Sequence, residues 1–141
     1  MNTKPSLQRF ISAQEGDYET ALKEIRSGRK RSHWMWYIFP QIDGLGFSDM
    51  ARRYGIKDLP EAAQYLEHPL LGSHLIEISQ ALLELPGNNA TEIMGSPDHL
   101  KLHSSMTLFS LIPDSNPVFD AVLKKFFKGQ QDNGTLQLIR K

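Results

Sequence analysis

Between Glu24 and Asp43 the sequence carries no acidic residue, yet it places Arg26, Arg29, Lys30, Arg31 and His33 in one run with both tryptophans directly after it. Trp34, Trp36, Tyr37 and Phe39 fall within six positions. Guanidinium groups bind phosphate or carboxylate oxygens through paired hydrogen bonds, and a flat ring stacks on a planar group. Arg29, Lys30 and Arg31 beside Trp34 or Trp36 therefore suit a small anionic, nucleotide-like ligand. His33 would add a titratable donor and Gln41 an amide. A plainer reading stays open: large rings after a helix end also build cores, and an Arg-Lys-Arg run also serves as a solvated turn.

The second stretch is Asp98 to Thr107. If it is helical, Asp98 and Lys101 lie one turn apart and pair, while Ser104 and Thr107 share a side. Hydroxyls inside a helix either bond the carbonyls of the preceding turn or line a polar pocket. We expect the pocket where residues 29–41 meet residues 98–107, with Asp98, Lys101, Ser104 and Thr107 as its facing polar groups. Chemistry there would be hydrolysis or group transfer, with His33 or Asp98 as acid or base. No cofactor is expected, because no redox-cofactor motif is present.

Other fragments carry less. His99 and His103 have the spacing that brings two imidazoles to one metal, but neither an accompanying Glu nor a third ligand is identifiable, so no metal is expected. Gly44-Leu-Gly46 lacks the remaining glycine of a dinucleotide fingerprint and reads as a turn. A serine nucleophile at Ser104 or Ser105 needs a base that spacing does not supply. His68 reads as a helix cap, His74 as an exposed helix residue, and Asp43 as the other carboxylate worth suspecting.

The elements that must position these groups read as helices. Residues 5–28 suggest two short helices, the first with Leu7, Phe10 and Ile11, the second capped by Asp17 and ended by Gly28. Ser32 to Phe39 is a short buried helix or strand that stops at Pro40. Ser48 to Tyr54 is helical, and another helix starts near Asp58 with Pro60 in its first turn. The longest periodic run, Leu70 to Leu85, follows His68-Pro69 and stops at Pro86-Gly87. Asn89, Ser96-Pro97 and Asn116-Pro117 each open a further helix. Gly129 closes the helix after Pro117, and Thr135 to Ile139 forms a short lid. The expected fold is all-α, a compact multihelical single domain spanning residues 1–141.

Composition narrows the function classes. Sixteen Lys and Arg balance sixteen Asp and Glu, so global attraction to nucleic acid or anionic lipid is absent and nucleic-acid binding is not favoured. There is no cysteine, which removes thiol chemistry and disulfides. No stretch is apolar enough to span a membrane, and Met1 to Gln8 lacks the apolar centre of a signal peptide, which points to a cytoplasmic protein. The alternative to a ligand pocket is a protein-interaction module that uses the basic and aromatic segment 29–41 as its anchor. No particular protein partner is indicated.

Gly28 to Gln41, Gly44-Leu-Gly46, Arg53-Tyr-Gly55, Tyr65 to Gly72, Asp98 to Phe109 and Phe126 to Gly129 together resemble a bacterial family of uncharacterised proteins, the domain of unknown function eighteen-ten. The resemblance covers nearly the whole chain. It implies a mainly α-helical fold and transfers no catalytic role. Some members carry the label calpastatin, but this composition is that of a packed domain and not of a long disordered inhibitor.

Overall fold

A computed structural model describes residues 7–140, and among these the fold is all-α. The first helix, α1, runs unbroken over Gln8–Arg26. This corrects the expectation of two helices, whose start at residues 5 and 6 lies outside the described residues. Phe10, Gln14, Tyr18, Ala21, Leu22 and Ile25 form one continuous buried stripe across Gly16, and burying that stripe outweighs the weak helix propensity of a single glycine. Asp17 is accordingly mid-helix. Its carboxylate accepts a hydrogen bond from the Tyr37 hydroxyl instead of capping the backbone.

The following short helices are set by caps and close backbone approaches. α2 (Met35–Ile38) settles the aromatic stretch as a helical turn, and α3 (Asp49–Arg53) starts where Ser48 Oγ accepts from Ala51 N at 3.1 Å. α4 (Leu59–Glu67) starts at Asp58, whose Oδ1 accepts from Glu61 N at 2.9 Å. His68 ends α4 and caps α5 (Pro69–Glu84), its Nδ1 accepting from Leu70 N and Leu71 N. The chain turns so tightly there that a Cβ on Gly72 would lie 1.9 Å from the Leu66 carbonyl oxygen.

α6 (Ala90–Met94) is capped by Asn89, and α8 (Pro117–Phe127) by Asn116. α7 (Asp98–Ser110) differs from expectation at its start: Pro97 occupies the cap position, so Ser96 stands outside the helix and caps nothing. α9 (Asn133–Arg140) packs on α7, with Asp132 Oδ2 accepting from Thr135 N at 3.1 Å as its cap.

α5 lies at the centre, against α1, α4 and α8, and α7 packs on α8, α6, α4 and α9. The buried cluster draws on α1, α2 and α4 through α8 and includes Trp34, Tyr65, Phe109 and Phe119. Lys125 on α8 seals the end of α5 by donating to the carbonyls of Leu82, Leu83 and Leu85, a cation placed where a helix presents its unpaired oxygens. Among the described residues no helix is long and apolar enough to cross a membrane.

Candidate functional site

The basic segment is fastened by a residue that lies before it. Glu24, near the end of α1, accepts from Arg31 N at 2.7 Å, Ser32 N at 3.0 Å, the Ser32 hydroxyl and Trp34 Nε1 at 2.9 Å. Partial burial pushes its carboxyl up, but the donors from Ser32, Arg31 and Trp34 outweigh this and hold it at about 2. Lys30 N also donates to Ile93 O at 2.7 Å, which ties the segment to α6.

The two stretches singled out in the sequence do meet. Lys30 Nζ lies 2.8 Å from Asp98 Oδ2, and Lys101 Nζ lies 3.3 Å from Asp98 Oδ1. Lys101 Nζ also sits 4.8 Å from the centre of the Trp36 ring, and Lys30 Nζ 5.0 Å from that of Trp34. Beside this seam opens a cleft of about 430 Å³. Trp36, Gln41, Lys101, Ser104 and Asp132 contribute its polar or aromatic lining, and Phe47 and Leu100 its apolar part. The loop wall is stiffened by a parallel bridge between Ile42 and Ile56 and by close contact of Gly55 with Asp43, where a Cβ would come within 2.8 Å.

Four of the expected site residues therefore line one cleft: Trp36, Gln41, Lys101 and Ser104. Others do not. Arg29, Arg31 and His33 are exposed and outside its lining. Lys30 is engaged by Asp98 and by the Ser32 carbonyl. Trp34 is only 1% exposed, with its ring in the core and its N–H on Glu24, so it forms no stacking wall. Thr107 is buried as well, donating to His103 O at 2.9 Å and accepting from Asp132 N at 2.9 Å. Asp98, held between two lysines, is a seam residue, and neither it nor His33 lines the cleft.

The two histidines of α7 also part company. His103 Nε2 lies 2.7 Å from the Gln130 carbonyl, with its ring stacked on Phe127 at 4.3 Å, whereas His99 Nδ1 is buried without a hydrogen-bond partner among the described residues. Among the described residues no group of three His, Asp or Glu side chains is arranged to hold a metal. His74, expected to be exposed, is half-buried and stacks on Tyr18 because Gln14 on α1 draws its ring inward.

Asp132 is the cleft residue the sequence reading missed. Its Oδ2 accepts from the hydroxyls of Ser104 at 3.0 Å and Thr135 at 2.7 Å, so it joins α7 to the start of α9. Its Oδ1 takes no hydrogen bond among the described residues. The signal was local, an Asp three residues before Thr135 at a helix start, but the link to Ser104 spans 28 positions.

Among curated proteins no sequence matches the chain. A solved structure is very similar: the crystal structure of a conserved hypothetical protein from Mycobacterium tuberculosis, 47% identical, with a TM-score of 0.93 and 96% of each chain covered. The family model described as protein of unknown function (DUF1810) matches residues 4–139, so the chain belongs to that family.

Proposed function

We propose that the chain acts as one domain over residues 1–141 and that the cleft beside α7 binds a small planar ligand, nucleoside-like, with at most one negative charge facing Lys101. The supporting observation is the Trp36 ring with the Lys101 ammonium 4.8 Å from its centre, in a cleft that also offers the Gln41 amide and the Asp132 carboxylate. A ring for stacking and a few convergent polar groups at the edge are the features of small-molecule sites. Charge balance argues against a polyphosphate. Lys30 is already paired, Lys101 is shared with Asp98, and Asp132 places a carboxylate in the lining. If a reaction occurs here, Asp132 is the carboxylate to test as its acid or base.

Thermal shift against nucleobases, nucleosides, nucleoside monophosphates and triphosphates tests this directly, since a ligand at 100 times its dissociation constant adds about 2.7 kcal/mol. Stabilisation by nucleosides or monophosphates, kept at high salt and lost in Trp36→Ala, is expected. A response to triphosphates alone, or one unchanged in Trp36→Ala, overturns it.

A second reading has its own observation. Phe47 and Leu100 are 75% and 57% exposed at the rim of the same cleft. Exposed apolar side chains beside Trp36 would anchor a protein partner. Of the aromatics in segment 29–41, only Trp36 is accessible for that role. A partner retained on wild-type protein and lost on Phe47→Ser plus Leu100→Ser would favour this reading.

A further inference from the structure

We propose that the crevice between α1 and α5 around His74 is a second binding site, independent of the α7 cleft, and that it takes a small organic cation: an alkylammonium or alkylguanidinium group.

A buried amide fixes the geometry of the site. Gln14 is 2% exposed, and its Nε2 lies 2.8 Å from both the Tyr37 carbonyl oxygen and the Tyr65 hydroxyl. A carbonyl only accepts, so this end of the amide is the donor and the opposite end, Oε1, is the acceptor. Oε1 lies 2.7 Å from His74 Nδ1, which must therefore carry the hydrogen. The tautomer is fixed, and in the neutral ring Nε2 holds a lone pair. It makes no hydrogen bond among the described residues.

The ring cannot turn away. It lies flat on Tyr18, with centroids 3.6 Å apart and an angle of 6° between the planes. Tyr18 is itself held by its hydroxyl, which donates to Glu77 Oε1 and lies 3.1 Å from the His74 carbonyl oxygen. His74 and Tyr18 line a cavity of about 220 Å³, with Glu15 and Glu19 on one side and Ile11 and Leu70 supplying apolar surface. That space is equivalent to about seven waters, enough for an amine with a short aliphatic stem.

The polar groups that face the cavity accept hydrogen bonds or carry negative charge, and among the described residues no lysine or arginine lines it. Glu15 and Glu19, one turn apart on α1, form no ion pair among the described residues, and like charges at that spacing repel. A cation relieves this repulsion while donating to His74 Nε2. The charged and titratable groups around the ring are Glu15, Tyr18 and Glu19 from α1 and Glu77 from α5. Burial draws the imidazole below its ordinary value of 6.5, against the pull of Glu77 and Glu19, so the ring is neutral and accepting near pH 7.

Calorimetric titration tests the site. Agmatine stands for a free amine, a capped Gly-Arg-Gly tripeptide for an arginine side chain of another protein, and pentanol for the uncharged control. We expect one-to-one binding of agmatine or the tripeptide at about pH 8, with the stronger of the two naming the source, and none of pentanol. Affinity should fall at least about tenfold in Glu15→Gln plus Glu19→Gln, which are exposed and leave the core untouched. It should fall similarly in His74→Asn, which keeps an N–H for Gln14 but deletes Nε2, and also when acidification protonates His74. Nitrogen NMR of the wild type should show the His74 Nε2 resonance moving on titration, a readout that does not depend on the variants folding. Absence of binding by both cations, or binding that neither the glutamate pair nor the Nε2 resonance registers, overturns the proposal.

Discussion

Lys30 Nζ and Asp98 Oδ2 lie 2.8 Å apart, with only 8% and 19% of their side chains exposed, and this contact joins the basic segment after α1 to the start of α7. It turns one residue of a run that reads as surface charge into part of the frame beside the cleft. A pair so shielded is held by geometry, and removing one partner strands the other.

Lys30→Ala should therefore destabilise the protein by about 3 kcal/mol, the lower end of the range for breaking a buried pair, because Lys101 remains within 3.3 Å of Asp98. Urea unfolding measures it. Arg29→Ala, which removes an exposed side chain, should change stability by less than about 0.5 kcal/mol.

Glu24 predicts a pH dependence. Its carboxyl is held at about 2 in the folded protein, against an ordinary value of 4.5, so its contribution is complete above about pH 5 and is lost as pH falls through 4.5 toward 2. Glu24→Gln should lower stability at neutral pH and flatten the acid limb. Urea midpoints of both proteins between about pH 2 and pH 6 decide this, and parallel limbs would remove Glu24 as the cause.

Two glycines should respond in opposite directions to the same change. Gly72→Ala places its Cβ 1.9 Å from the Leu66 carbonyl oxygen, a backbone atom that cannot move aside, and should cost about 3 kcal/mol or more. Gly16→Ala meets nothing within 4 Å inside α1 and should stabilise by about 0.5–1 kcal/mol. Thermal melts of the two variants provide the comparison.

The tryptophans should separate as well. Trp34→Phe removes the indole donor to Glu24 and opens space in the core, which should cost about 1–3 kcal/mol. Trp36→Leu, at the half-buried cleft wall, should stay within about 1 kcal/mol while abolishing any fluorescence change on ligand addition. Equal losses of stability would show that Trp36 serves the fold as Trp34 does.

The all-α class and most helix ends follow from local sequence, because caps and stops act within a few residues: Ser48, Asp58, His68, Asn89 and Asn116 all accept from the first helical turn as their spacing demands. The expectation that residues 29–41 and 98–107 meet rested on the family resemblance being densest there and on the polar residues in both, and Lys30 and Asp98 do make contact. Which side chains reach the cleft depends on how the helices pack. Trp34 and Trp36 differ by two positions, yet one turn of α2 sends the first into the core and leaves the second at the surface. The contacts of Glu24 with Trp34, Asp132 with Ser104 and Gln14 with His74 carry no local signature, since they span 10, 28 and 60 positions. Such contacts form when packed helices bring distant side chains within 3 Å, and the faces that pack are chosen by the whole buried surface rather than by any one stretch of sequence.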